Sequence, residues 1–321
     1  MKTFLLVILP FISPSLIAAF QVAVVGTTGN IGRTTIQELS KRNIPTRCLL
    51  RHDISNVEIK DTPSTSAEVA ASLSTLNNVE MIRGDVTDPE SIRKLIDGCD
   101  AILALQGPPK PNALLSLFPI FSNQNGSFHP YMTNYIGMKN IIEAVEATPS
   151  VKRIVRLTGK GEDPFSFFSI LINMLGYMAK GWNYEGEQLL RDSGLDYTIV
   201  RPGLLKNSND YNAPKKSRGL KDNGMDMKVT PVTYDQIAEL CVESLNYDNA
   251  KKSTLTVMNV EENEGEDGYS ALLESVQADS RTFEKSLIEK HKSGARLGFL
   301  GLSLILGTFL KGIVGLTGLI M

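Results

Sequence analysis

From residue 20 to about residue 260 the chain alternates short apolar runs with segments whose apolar residues recur every three to four positions. The run FQVAVVG (20–26) is β-branched and ends on glycine, and it predicts a strand. Behind it, NIGRTTIQELSKR places Ile31, Ile36 and Leu39 on one stripe and predicts a helix. TRCLLR (46–51), VEMIRGD (79–85), DAILALQG (100–107), VKRIVRLTG (151–159) and DYTIVRPG (196–203) predict further strands. The helices predicted between them are DPESIRKLIDG (88–98), YIGMKNIIEAVEA (135–147) and EGEQLLRDSG (185–194). The first of these opens on an Asp cap followed by Pro at the first helical position. Residues 62–78, with Ser, Thr and Ala around Pro63, read as a loop holding at most one helical turn. Residues 108–130 read as a Pro/Asn-rich loop with an apolar patch at 114–121. Strands and helices alternating at this length predict an α/β fold, a Rossmann-type doubly wound, mostly parallel sheet.

Both ends depart from this rhythm. Residues 1–19 carry Lys2, an apolar run broken by Pro10 and Pro14, and Ala18–Ala19 before Phe20, the pattern of a signal or targeting segment. The LIAAF junction resembles the leaders of secondary plastids, so a plastid or endomembrane address is expected. At the other end, 297–321 has Lys311 as its one charge and six glycines (Gly298, Gly301, Gly307, Gly312, Gly315, Gly318), and it predicts a membrane anchor. Residues 261–296 read as an acidic linker and a polar helix joining that anchor to a 20–260 domain. With a net charge of −2 the chain has no basic field for nucleic acid. Three separated cysteines without a CxxC pair, and three scattered histidines, exclude a zinc or disulfide framework, and no metal site is expected. Asn125-Gly126-Ser127 matches a glycosylation acceptor that matters only in a secretory lumen.

The strongest motif is Gly26-Thr27-Thr28-Gly29-Asn30-Ile31-Gly32, a GxxGxxG that ends a strand and opens a helix. Gly26 permits the turn, Gly29 lets backbone approach a pyrophosphate, and Gly32 lets the helix sit close to the strand. Exposed amides at the helix start then hold the anion. Arg51 ends the second strand, where an NAD site carries an acid for the ribose hydroxyls. A guanidinium there matches a 2′-phosphate, and Arg33 could add a second positive charge, so NADP is favoured over NAD.

VAVVGTTGNIGRTTIQEL, RCLLR, IRGDVTDPESIRKLIDGCDAILAL, NYIGMKNIIEAVEA, VKRIVRLTG and SGLDYTIVRPGLL, in this order, resemble the atypical short-chain dehydrogenase/reductase family in its NmrA-like, NAD(P)-binding branch. VTPVTYDQIAELCVESL (229–245) resembles the family's segment after the substrate loop. The resemblance implies that Gly26, Thr28, Gly29, Asn30 and Ile31 meet the pyrophosphate and Arg51 the adenosine phosphate. It implies further that Asp85 and Val86 border the adenine, that Ala104 and Leu105 lie under the ribose, and that Pro202 and Gly203 shape the nicotinamide end. Thr158 takes a position where relatives often have Ser, and Asn183 one where several have Lys.

Typical members use Tyr-x-x-x-Lys, and neither Tyr177 nor Tyr184 has a Lys four residues on. Tyr177 and Lys180, three apart, are the substitute pair, with Thr158 as a hydrogen-bonding helper. Tyr184, with Gln188 four residues on, is the other aromatic candidate, and Trp182 reads as core or pocket wall. The apolar SFFSILINMLGYMA (166–179) is either a buried helix or a lid for a lipid-like or pigment-like substrate that touches the membrane. Two functions stay open. One is an NADP-dependent oxidoreductase of an apolar, quinone- or carbonyl-like small molecule. The other is a non-catalytic NADP(H) sensor or membrane-tethered assembly factor of a photosynthetic or respiratory complex.

Overall fold

The computed structural model describes residues 20–108, 126, 129–160, 162–212, 214 and 217–317. The expected leader 1–19, the patch 114–121, and Asn125 and Ser127 of the glycosylation acceptor lie outside these residues.

The expected strands appear, slightly trimmed, as β1 (Val22–Val25), β2 (Thr46–Leu50), β3 (Val79–Arg83), β4 (Ala101–Ala104), β5 (Arg153–Leu157) and β6 (Tyr197–Pro202). The helices between them are α1 (Asn30–Lys41), α2 (Ser66–Leu73), α3 (Pro89–Ile96), α4 (Gly137–Glu146), α5 (Phe167–Leu175) and α6 (Ala179–Asp192). Beyond β6 come β7 (Leu204–Lys206), β8 (Arg218–Lys221), β9 (Pro231–Thr233), α7 (Tyr234–Glu243), β10 (Ser253–Asn259), α8 (Ser270–Ser275) and α9 (Ile288–Thr317). The main sheet runs β3-β2-β1-β4-β5-β6-β10-β8; its pairs are parallel except β10 with β8. Order reverses between β1 and β4, which opens a crevice over the carboxyl ends of these strands.

Alternation along each strand builds two cores. Val22, Val24, Cys48, Leu103, Val155 and Val200 face α1 and α7, while Ala23, Val25, Ile102, Ala104, Ile154 and Ile199 face α3, α4 and Leu190 of α6. With both faces covered, the strands are near-continuous apolar runs.

Three expectations are corrected. Residues 62–78 hold the two-turn helix α2, because Thr65 and Glu68 form a reciprocal capping box that the Ser/Thr-rich composition conceals. The segment 261–296 is not a separate linker. Arg218 and Glu266 bridge their backbones, and Tyr269, Leu273 and Val276 are buried in the α1/α7-side core. The polar segment and the apolar stretch run together in one helix, α9, over Ile288–Thr317, without a break at 297. No helix among the described residues is long and apolar enough to cross a membrane. Glycines 294 and 298 of α9 pack inside this chain: a Cβ on Gly294 would come 2.7 Å from the Pro164 carbonyl, and one on Gly298 2.3 Å from the Met174 sulfur.

The run 166–179 is not a buried helix either. It splits into α5 and a turn, and Phe165, Phe167, Phe168, Leu171, Ile172 and Leu175 are exposed.

Candidate functional site

The turn after β1 is built as its glycines require. Gly26 has φ of +90°, and a Cβ there would lie 2.7 Å from the Gln106 amide. A Cβ on Gly32 would lie 2.0 Å from the Gly26 carbonyl oxygen, so α1 meets the strand only because that residue is glycine. Gly29 faces open space apart from the Gly26 carbonyl oxygen at 3.4 Å. No side chain caps α1 and no acid lies in its first turn, so the amides of its opening residues keep their positive field for an outside anion. Asn30 donates to the Tyr234 hydroxyl at 3.0 Å and ties this end to α7. Thr27 donates to the Leu49 carbonyl at 2.7 Å, while Thr28 stays half-buried in the loop beside buried Ile31. The site thus fits the diphosphate of a dinucleotide.

Around the crevice, Asp85 accepts from the Thr87 amide and hydroxyl, both at 2.9 Å, and Val86 is buried with its carbonyl bound by Asn140. Ala104 and Leu105 close the end of β4. Arg51 stands exposed past β2. Arg33 lines a polar cavity of about 270 Å³ with Asn207, Asp210, Tyr234 and Asp235.

The opposite wall holds charges that sequence reasoning missed. Arg156 of β5 is fully buried; it donates to the carbonyls of Ala104 (3.2 Å) and Gln106 (3.0 Å) and to Asn183 Oδ1 (2.9 Å). Burial lowers its guanidinium to about 10. Asn183 therefore accepts from a buried cation where the resemblance places a lysine. Glu187 is bound by Arg201 at 2.5 Å and Arg191 at 2.8 Å. Burial works to raise its carboxyl, but the two guanidiniums outweigh it and hold Glu187 at about 2. Thr158 donates to Glu187 at 2.6 Å, so its hydroxyl proton is committed to that carboxylate. The signal for this cluster was arginine inside otherwise apolar strands, at 156 and 201, where an uncompensated cation is costly.

The Tyr177/Lys180 pair is arranged differently from the expected shared helix face. Tyr177 and Met178 both have left-handed φ, +52° and +65°, and α6 begins only at Ala179. The Tyr177 ring lies 6.1 Å from that of His129. Lys180 faces the crevice without Tyr177: it lines an inner cavity of about 170 Å³ with Thr158, Asn183, Glu187 and Arg201. It also lines an outer cavity of about 660 Å³ with Gly159, Phe168, Ile172, Pro202, Gly203, Met225 and Val229. Its ammonium donates to the Lys160 carbonyl. Burial, then the charge of Arg201, lowers it to about 8, with Glu187 opposing. Tyr184 is core: buried, its hydroxyl donating to the Glu284 carbonyl at 2.9 Å, its pKa raised by burial. Gln188 donates to Asp192. Trp182 packs on Tyr131, ring centroids 4.7 Å apart, as wall.

Residues 26–248 match the model of a family described as NAD(P)H-binding. An uncharacterized chloroplastic protein of Arabidopsis thaliana is 29% identical over 191 residues, 58% of this chain and 57% of that protein. Sanguinarine reductase of Eschscholzia californica is 26% identical over 58% of this chain and 75% of its own length. A short-chain dehydrogenase/reductase of Veillonella parvula, solved in complex with NADP, superposes with a TM-score of 0.55 at 13% identity, covering 78% of this chain and 99% of that one.

Proposed function

The chain belongs to the NAD(P)H-binding family, as its match from residue 26 to 248 shows, and on that premise we propose that it is an NADP(H)-dependent reductase of an apolar carbonyl or quinone-like molecule. The observation that carries this reading is the outer cavity, about 660 Å³ and walled by Phe168, Ile172, Leu204, Met225 and Val229, with Lys180 at its inner end. A volume of that order suits a small molecule, and its apolar walls are shared with Lys160, Glu162, Asp163, Ser166, Asp226 and Arg281, which would orient a polar group of the ligand. Gly26, Gly29, Asn30 and Ile31 would hold the diphosphate and Arg51 the 2′-phosphate. When bound, the dinucleotide supplies the hydride.

Lys180 does the proton work. The residue lines both cavities, and with a pKa of about 8 its ammonium is charged at neutral pH yet would give up a proton readily to a developing alkoxide. Glu187, held ionised by Arg191 and Arg201, fixes the Thr158 hydroxyl and keeps the inner wall polar.

NADPH oxidation with menadione as the probe tests this. Lys180→Met should lower kcat at least about 100-fold and leave the NADPH dissociation constant unchanged. Undiminished turnover in that variant would refute the role of Lys180. Tight NADPH binding with no turnover over a panel of quinones and aldehydes would favour the second reading, a dinucleotide-binding sensor or assembly factor. The observation on that side is that neither Tyr177 nor Tyr184 has a Lys four residues on.

A chloroplastic relative and the leader-like residues 1–19 support a plastid address. Exposed Phe165, Phe167, Leu171, Leu297, Leu300 and Leu304, on and beside α5 and α9, support contact with a membrane surface. The protein should float with lipid vesicles, and Phe167→Ser with Leu300→Ser should abolish flotation; recovery of the unaltered protein in the lipid-free fraction ends that part of the reading.

A further inference from the structure

Helix α6 starts without the usual help. The residue before it, Met178, is left-handed and offers no side-chain cap. Its first amides are instead bound from outside the helix. Asn173, buried near the end of α5, accepts from the Lys180 amide at 3.1 Å and the Gly181 amide at 3.2 Å through one oxygen, Oδ1. With that oxygen committed to two N–H groups, the Asn173 NH2 is the group turned toward His291 Nδ1, 2.9 Å away. His291 belongs to α9 and is fully buried, and its Nε2 has no partner among the described residues.

The backbone allows this approach because of one glycine. A Cβ on Gly181 would come 2.8 Å from Ile288 and 3.3 Å from His291, both on α9. The family match ends at residue 248, so α9 lies outside it.

We infer that Asn173 and His291 are positioning residues for Lys180, and that α9 completes the active site by holding the first turn of α6 against the cavity. This rests on the reading of Lys180 as proton donor. The chain of contacts runs His291 Nδ1, Asn173 Nδ2, Asn173 Oδ1, Lys180 N–H. Each link is directional, so replacing His291 frees Asn173 to rotate and leaves two amides of α6 uncapped. Lys180 then leaves its half-buried place for water.

The groups facing Lys180 fix what a titration reports. The loop after β5 supplies the Lys160 carbonyl and charge with Glu162 and Asp163, β6 supplies Arg201, α6 itself supplies Glu187, the segment after β8 supplies Asp226, and Arg281 and His291 come from before and within α9. α5 brings no charged residue. Reactivity of Lys180 toward acetic anhydride, followed by mass spectrometry across pH in the full-length protein, should have its midpoint near about 8.

Asn173→Ala and His291→Phe should move that midpoint up toward the ordinary lysine value of about 10.4. They should also lower kcat for menadione reduction about tenfold, with the NADPH dissociation constant unchanged. His291→Gln keeps an acceptor for Asn173 and should behave as the unaltered protein. A folded Asn173→Ala protein whose Lys180 midpoint stays put overturns the inference. If Asn173→Ala does not fold, the His291 pair decides, and equal midpoints in the Phe and Gln variants overturn it. Should the midpoints move as stated while Lys180→Met leaves reduction intact, the positioning stands and the reductase reading falls. Should Lys180→Met abolish reduction while the midpoints do not move, the reverse holds.

Discussion

The two walls of the crevice are built in opposite ways. The wall made by β1, the glycine turn and α1 is assembled from residues 22 to 41, and each functional group is placed by its immediate neighbours. The wall made by α5, α6 and α9 draws Thr158, Asn173, Lys180, Arg201 and His291 together from well over a hundred residues of chain. Local construction leaves its polar groups open for a ligand, as at the uncapped start of α1. Distant construction ties many of them to one another. Glu187, Arg191 and Arg201 bind each other, and Asn173 takes up the first amides of α6. Substitutions in the first wall should therefore act on binding, whereas those in the second should act on stability and on Lys180.

The largest test of that contrast is pH. Burial, then the charge of Lys180, lowers the His291 imidazole to about 4, with Asp163 opposing. The unfolded chain would take up the proton near the ordinary value of about 6.5. Between these two pH values the unfolded state binds more protons than the folded one, so stability falls as pH drops from about 6.5 to about 4. The neutral ring is required because protonation would set an N–H against the Asn173 NH2. The loss should amount to about 3 kcal/mol relative to His291→Gln, read as the difference between their urea unfolding free energies across that window. Parallel pH profiles for the two proteins would mean that the ring is not held neutral by α5 and α6, and the contrast between the walls would weaken. NADPH affinity at neutral pH should be the same in both proteins.

The same contrast explains which elements are legible in the sequence. The glycine turn and the strands are legible because their signals are local: a β-branched run, a glycine at a forced turn, a cap before a proline. The family match from 26 to 248 bears out the resemblance that those motifs carry. Lys180 could be named but not explained, because the spacing to Tyr177 implied a helix that the left-handed pair at 177 and 178 interrupts. Helix α2 was concealed because its stability sits in the Thr65–Glu68 box rather than in an apolar stripe. The apolar stretch from 297 reads as a membrane anchor, yet no helix among the described residues is long and apolar enough to cross a membrane. Glycines at 294 and 298 suit a helix packing in lipid and a helix packing on α5 equally well, and only the partner distinguishes them.

The smaller test lies in the glycine wall. Arg51→Ala should lower NADPH affinity about tenfold, equivalent to about 1.4 kcal/mol, and leave NADH affinity unchanged, because only the phosphorylated ribose offers a second anion to a guanidinium there. Calorimetry with both nucleotides at one ionic strength reads the difference directly. Unfolding in urea should be unaltered within about 0.5 kcal/mol, as expected for an exposed side chain. An equal fall for both nucleotides would show that Arg51 acts on the diphosphate or the fold rather than on the 2′ position. A loss of stability without a change in affinity would place Arg51 with the second wall's residues, whose work is done inside the protein.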